Sequence, residues 1–408
     1  MTTSGPTEIT PAARDVSARV THLFEHEFAA EVVDWEQSGE TPASVFERLA
    51  ATGVFAARWP RGDVFKGDLR LGAHLVRHCA LLSPGLGIAV IPHLDGVLPL
   101  LHTCAAGPAL ERRAHAGELI GCVAISEATS ASDVTNCATR AVQSGRDWRL
   151  TGHKQYVSNF RTATDCLVFA RTGAGSPLTA FTLFLVPTRA TGITSRPHEL
   201  LGCRPSGTCE VQFDGVHVAD ERRVGSVGGA FPRILRFLRL ERMWNALGAA
   251  AIAELCLEIA TSFCERRVIA GQPLRSHQAV AHRLVDMSVK VQTARLVVDD
   301  LLAAAEIQLP STEACARAKL WAARVAWEVA DEALQFLGGA GYTQATALER
   351  VWRDIRLIRV AGGADEVLRE IISRHLGAGP LHDHPDLARV RAAARSQAEL
   401  VNGTEQTA

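Results

Sequence analysis

Between residues 120 and 225 the apolar pattern of this chain changes period, and beyond 229 it changes back. Up to about residue 118 the pattern is helical. "PASVFERLAATGVF" opens at a proline and closes with glycine, as helices often do. From about 120 to 225 come short runs rich in Val, Phe, Leu and Thr, "WRLTGHKQYVSN", "DCLVFART", "AFTLFLVPT" and "CEVQFDGVHV", separated by Gly, Ser, Pro and Asp. After "VGSVGGAFP" the helical spacing returns: Leu284, Met287, Val291, Ala294, Val298 and Leu301 follow steps of three and four, and "RVAWEVADEALQFLGG" stops at a glycine pair. The expected organisation is an N-terminal helical domain (1–118), a middle β domain (119–228), a C-terminal helical bundle (229–377) and a tail (378–408) forming a loop and a short charged helix. No internal repeat or low-complexity tract interrupts this order.

A chain of 408 residues with 47% apolar and 21% charged residues buries a large core without staples. Ten cysteines with no C-x-x-C pair and no histidine at zinc spacing read as small buried hydrophobes, with neither a disulfide framework nor a metal site. A formal net charge of -1 gives no pull toward nucleic acid or an anionic membrane, so the expected partner is a small molecule or a carrier protein. The start "MTTSGPTEITPAARD" lacks a signal-peptide pattern, and the apolar run from 86 to 101 is broken by Pro92, His93, Asp95 and Pro99. A soluble, cytoplasmic protein is expected. Only four of 43 basic residues are lysine and alanine abounds, which reads as codon bias of a GC-rich source.

Four stretches carry chemistry. "AISEATSASD" (124–133) offers small hydroxyls, Ser126 and Ser132, suited to hydrogen-bonding a flat ring edge or a pyrophosphate without bulk. "GHKQYVSN" (152–159) sets an aromatic, Tyr156, two residues from a donor, Ser158. "FCERRVIAGQPLRSHQ" (263–278) contains Arg267, whose guanidinium fork suits phosphate oxygens, and Gln278. "ALQFLGGAGYTQATALERVWRDIRLIRVAGGADEV" (333–367) contains Gln335 and Gly339, the glycine allowing close backbone approach. Each also has a plain structural reading: a turn or cap for the first, a core tyrosine for the second, a solvated arginine for the third, helix–loop–helix punctuation for the fourth. No G-x-G-x-x-G follows a strand, so a Rossmann site is not indicated.

In this order and at these separations the four resemble motifs of the acyl-CoA dehydrogenase family, over nearly the whole chain apart from its tails. The first is similar to A-x-T-E-P-x-x-G-S-D, with Ala128 and Ala131 in place of proline and glycine. The second is similar to G-x-K-x-W-I-T-N. The third resembles Y-x-x-x-R-x-x-F-G-x-P-x-x-x-Q with Ala270 for phenylalanine, and the fourth resembles Q-x-x-G-G-x-G-Y followed by E-R-x-x-R-D. The resemblance implies an α+β multi-domain fold: helical N-terminal domain, β-barrel-like middle domain, C-terminal four-helix bundle. It implies FAD as cofactor, bound through Ser126 at the pyrimidine edge, Ser132 at the pyrophosphate, Tyr156 against the ring and Ser158 near the hydride-accepting nitrogen. Arg267, Gln278, Gln335 and Gly339 would meet FAD across a subunit interface, in a homodimer or homotetramer. It further implies an acyl thioester substrate, as acyl-CoA or acyl-carrier protein, and an electron-transfer flavoprotein as acceptor.

The resemblance raises one difficulty. The family's usual carboxylate, the Glu of E-G-T, falls on Gly362 in "IRVAGGADEV". A minority, including the isovaleryl and long-chain branches, carries the base early in the C-terminal bundle before an arginine, and that position is Glu241, followed by Arg242, in "LRLERMWNALG". The expectation is that Glu241 is the general base, raised toward neutrality by an apolar site, that Gly362 leaves room for it, and that Arg242 orients the closing segment or the site charges. Asp365 and Glu366 stand in reserve, and a surface or salt-bridged Glu241 is the plain alternative. The departures, which include Ala364, point to a specialised biosynthetic role. Competing readings are a flavin monooxygenase or oxidase on the same fold, and a non-catalytic member of the family.

Overall fold

The computed structural model describes residues 11–60, 67–130, 132–176, 178–344 and 346–376, so the tail from 378 and most of "RGDVFKGDLR" lie outside the described residues. The first third is helical. α1 (Pro11–Leu23) runs through a wide turn at Phe24–Phe28 into α2 (Ala29–Ser38), followed by α3 (Ala43–Ala51), α4 (Val54–Arg58), α5 (Leu69–Leu82), α6 (Pro84–Ile91) and α7 (Gly107–His115). α3 begins after Pro42 in extended conformation, buries Val45, Phe46 and Leu49 on one face, and is followed by Gly53 at φ +82°. α5 is capped by Asp68, whose side chain accepts from the Leu71 N–H at 3.0 Å.

The middle third holds β1 (Gly121–Ala124), β2 (Arg140–Ser144), β3 (Asp147–Val157), β4 (Asp165–Arg171), β5 (Phe181–Pro187), β6 (Ile193–Pro197), β7 (Cys209–Val218) and β8 (Arg223–Val224). They form one eight-stranded sheet in the order β6-β7-β3-β2-β4-β5-β8, with β1 parallel to β4. The sheet has its own apolar core, built on Leu150, Val168, Phe184, Val211 and Phe213. β4 and β5 are buried along nearly their whole length, which is why both read as unbroken apolar runs rather than alternating ones.

The last third consists of three long antiparallel helices, α8 (Ala230–Arg266), α9 (Gln278–Ile307) and α10 (Thr312–Leu337), completed by α11 (Leu348–Ile358) and α12 (Asp365–Ser373); a two-residue-stranded hairpin, β9 (Val268–Ile269) with β10 (Gln272–Pro273), joins α8 to α9. Met287, Val291, Ala294, Val298 and Leu301 are buried, as their spacing predicts. Alanine has a packing role beyond composition. Ala246, Ala249, Ala250 and Ala253 of α8 and Ala318, Ala322, Ala326 and Ala330 of α10 are all buried, and side chains this small let two helix axes approach closely.

A wholly buried polar network ties the first third to α8. Arg58 pairs with Asp95 at 2.9 Å, both side chains fully excluded from solvent. The Asp95 carboxylate also accepts from the indole N–H of Trp59 at 3.0 Å and from that of Trp244 on α8. Both oxygens of that carboxylate thereby accept hydrogen bonds, which is the condition for a charge to sit in a core.

Candidate functional site

Two regions carry the chemistry-bearing residues, and the first lies where the 124–133 loop meets the end of β3. The Ser126 carbonyl accepts from Gln155 N–H at 2.9 Å, which sets the loop beside Tyr156. Beneath it Lys154, fully buried, donates to Glu127 at 2.8 Å and to the Ile125 carbonyl at 2.8 Å. Glu127 also accepts from Thr139 Oγ1 at 2.6 Å, from the Thr139 and Ala138 N–H groups at 3.0 and 2.7 Å, and from Cys137. Burial alone would raise the Glu127 carboxyl; the Lys154 ammonium and the hydrogen bonds from Lys154, Thr139 and Cys137 outweigh it and bring it to about 2. This ion pair shapes the loop from below. Both members sit inside the quoted motifs, but nothing in the local sequence shows that the two charges are buried against each other.

The strand end above is locally strained. Tyr156 and Asn159 adopt φ +57° and +64°, and the β3–β7 register slips between Lys154 and Val157. A tyrosine in this conformation costs about 1 kcal/mol or more, and the result is a ring 60% exposed and stacked on His198 at 5.0 Å. Ser158 accepts from Thr208 Oγ1 at 3.3 Å. Ser126 and Ser158 are half-buried and Ser132 is exposed. Three buried polar atoms of the same region, Ser130 Oγ, Asn159 Nδ2 and His198 Nε2, have no hydrogen-bond partner. An exposed aromatic face flanked by unsatisfied polar groups fits a flat, hydrogen-bonding ring such as a flavin.

The second region lies at one end of the bundle, around the closing segment between α11 and α12. Gly362 and Gly363 take φ +66° and +107°. Arg242 Nε donates to the Gly362 carbonyl and Lys319 Nζ to the Gly363 carbonyl, each at 2.8 Å. A Cβ on Gly362 would lie 2.9 Å from Asn245 Nδ2 and 3.7 Å from the carboxyl carbon of Glu241, so φ favours glycine and any other residue would displace the Asn245 side chain. Burial raises the Glu241 carboxyl above the ordinary range, opposed by the charges of Arg242 and Lys319. Asp365 is occupied by Arg359 at 2.6 Å, and exposed Glu366 pairs with Arg369 at 3.1 Å, so both reserve carboxylates are held elsewhere. No motif in the sequence marks Lys319 or Asn245 as site residues; the scarcity of lysine is the available signal for the first.

The 198–208 loop bridges the two regions. Cys203 N–H donates to Asp354 Oδ1 of α11 at 2.5 Å, and Ser206 Oγ meets Thr208 Oγ1 at 2.8 Å. Burial and the nearby Glu36 charge push the Asp354 carboxyl up to about 7.

Arg267, Gln278, Gln335 and Gly339 are exposed at the opposite end of the bundle. Arg267 and Gln278 flank the hairpin β9–β10, whose turn takes Ala270 and Gly271 at φ +52° and +80°. Arg283 ties that end of α9 to that of α10, pairing with Glu332 and lying 4.6 Å over the Phe336 ring. Arg267 stands about 39 Å beyond Glu241 along α8, at roughly 1.5 Å per residue. One chain therefore gathers Ser126, Tyr156 and Ser158 together and keeps the four bundle-end residues far from its own Glu241.

Two family models match the chain: the acyl-CoA dehydrogenase middle domain over residues 122–216 and the acyl-CoA dehydrogenase C-terminal domain over residues 229–377. A probable acyl-CoA dehydrogenase of Bacillus subtilis is 27% identical over 382 residues, covering 90% of this chain and 99% of that protein. The rat mitochondrial short-chain specific acyl-CoA dehydrogenase is 32% identical over 261 residues, 64% of this chain and 63% of that protein. A crystal structure of a probable acyl-CoA dehydrogenase from Mycobacterium abscessus superposes with a TM-score of 0.83 at 27% identity, covering 90% of this chain and 99% of that one.

Proposed function

Since the chain belongs to the acyl-CoA dehydrogenase family, whose members are FAD-dependent flavoprotein oxidoreductases, we propose that it removes the elements of hydrogen across Cα and Cβ of an acyl thioester with Glu241 as the base. The observation that carries this reading is the Glu241 carboxyl lying against the space a side chain at Gly362 would fill. FAD, when bound, supplies the acceptor for the hydride that leaves Cβ. Glu241 takes the Cα proton on a carboxylate oxygen, and its raised affinity for protons suits it to that work near neutral pH. Arg242 and Lys319 hold the closing segment by two consecutive carbonyls, so the backbone opposite the base is fixed before substrate arrives. Ser126, Ser132, Tyr156 and Ser158 are assigned to the ring and pyrophosphate of the cofactor.

The reading extends to assembly. The separation of Arg267, Gln278, Gln335 and Gly339 from Glu241 supports their serving the FAD of a neighbouring copy, in a homodimer or homotetramer. The outer face of α9 supports the same, since Val285, Val289 and Leu296 line up there with exposures of 59%, 56% and 61%. An electron-transfer flavoprotein is proposed as acceptor, and acyl-CoA or acyl-carrier protein as the form of substrate, in a biosynthetic setting.

The test is anaerobic titration of the flavin-loaded protein with a panel of acyl-CoA and acyl-carrier-protein thioesters, wild type beside Glu241→Gln. Bleaching of the flavin by one thioester in wild type, lost at least a hundredfold in rate in the variant, is the expected result. Bleaching at the wild-type rate in Glu241→Gln removes Glu241 from the role. A flavin that no thioester reduces, with oxygen consumed on another substrate, moves the protein to monooxygenase or oxidase chemistry.

A further inference from the structure

Lys319 is the one fully buried lysine of the bundle, and the proton removal just described uses it only to hold the closing segment, not for its charge. Lysine at full burial is costly unless its charge is answered, so the groups around it bear on its role. From α8 it faces Glu241 and Arg242, from the end of α11 Arg359, and from α12 Asp365; Cys315, one turn earlier on its own helix, faces Arg242. Arg359 is committed to Asp365 Oδ2, leaving Asp365 Oδ1 buried without a partner, and Arg242 is committed to the Gly362 carbonyl. The one hydrogen bond Lys319 makes among the described residues is to the Gly363 carbonyl, at 2.8 Å.

We propose that Lys319 is a positioning residue for the reaction: its ammonium fixes the closing segment through the Gly363 carbonyl and, by facing Glu241, holds that carboxyl in the ionised form that accepts the Cα proton. The proposal rests on Glu241 being the base. Three features of the site carry it. Gly362 and Gly363 both adopt left-handed backbone, in a segment that glycine leaves free to take many conformations, and two cationic side chains from two different helices pin its adjacent carbonyls. Glu241 itself has no hydrogen bond to either cation, so what it receives from Lys319 is charge rather than contact. A neutral side chain of the same length would fill the same space without that charge. Burial lowers the Lys319 ammonium to about 8 against the opposing pull of Asp365 and Glu241, so it still carries most of its charge at pH 7.

The experiment uses the flavin-loaded enzyme with the thioester that reduces it, following the rate of flavin reduction against pH for wild type, Lys319→Met and Lys319→Gln, with Glu241→Gln beside them. Hydrogen exchange of residues 360–364 is read on the same proteins without substrate. In both Lys319 variants the acid limb of the profile is expected to move up by about 1 pH unit or more, the usual effect of removing a nearby opposite charge. Below the limb that makes reduction about tenfold slower at fixed pH. Exchange at 360–364 is expected to quicken in Lys319→Met and less so in Lys319→Gln, which keeps a donor and serves if the Met variant does not fold. A rate that falls equally at every pH with the limb unmoved overturns the electrostatic role, and unchanged exchange in both variants overturns the anchoring role. If Glu241→Gln itself reduces the flavin normally, the assignment of the base has failed and with it the electrostatic role of Lys319, while exchange at 360–364 still decides its anchoring role.

Discussion

The carboxyl carbon of Glu241 lies 3.7 Å from the point where a side chain on Gly362 would begin. Two positions 121 residues apart in the chain thus lie at van der Waals contact distance, and a carboxylate at the first leaves little room for a longer side chain at the second. The left-handed φ of Gly362 and the nearness of Asn245 make the same demand independently.

Gly362→Ala is expected to destabilise the protein by about 1–3 kcal/mol, the usual cost of left-handed backbone at a residue with a Cβ. The new methyl group also meets Asn245 Nδ2 at 2.9 Å, so Asn245 must shift. A urea midpoint equal to that of wild type would show that the segment can relax, and would remove the argument that glycine is required here.

The rate of flavin reduction by substrate should rise with pH through a value above that of an ordinary glutamate and then level off. As the proposed base, Glu241 works only when ionised, and burial holds its proton to higher pH than usual. Over the same window the folded state binds more protons at this group than the unfolded state does, so its contribution to stability falls as pH rises. A profile flat from pH 5 upward would contradict the raised carboxyl.

Glu127→Gln should cost about 3–5 kcal/mol, because it leaves the Lys154 ammonium buried without its counter-charge. The sign with pH is opposite to that of Glu241. The native Glu127 carboxyl sits at about 2 against an ordinary 4.5, so its stabilisation is complete above about 4.5 and is lost as pH falls toward 2. Chemical denaturation at pH 7 and pH 3 measures both, and a variant as stable as wild type at pH 7 would show that Lys154 finds another partner.

Arg267→Ala should weaken FAD binding by roughly 10- to 100-fold, the worth of a charge-assisted hydrogen bond to a pyrophosphate. The side chain is exposed, so the stability of the protein without FAD should not change. Unaltered affinity in a fluorescence titration would leave Arg267 as a solvated helix-end residue.

Much of the architecture was legible because its signals are periodic. The stripe from Met287 to Leu301 and the buried β4 and β5 could be read from spacing and run length alone. The pairing of Glu241 with Gly362 became visible only by counting along a resemblance, and its geometry rests on a contact between α8 and the α11–α12 turn that no local pattern encodes. Lys154, Glu127 and Lys319 were missed for one physical reason: the sequence shows a charge and not the charge that answers it, and each is buried by a partner distant in the chain. The same holds for Arg58 and Asp95, where Asp95 read as an interruption of an apolar run and is instead the acceptor on which Arg58, Trp59 and Trp244 converge.

That convergence sets a condition on how the enzyme is assembled. Trp244 lies one helical turn beyond Glu241 on α8, and its indole N–H has its acceptor on a residue from the first hundred of the chain. A bundle folded without the N-terminal helices would leave that indole unanswered, and the N-terminal helices alone would lack one of the donors that Asp95 needs, each a loss of about 1–3 kcal/mol. The turn that carries Glu241 is therefore stabilised by a contact that forms only once the N-terminal helices and the bundle have met.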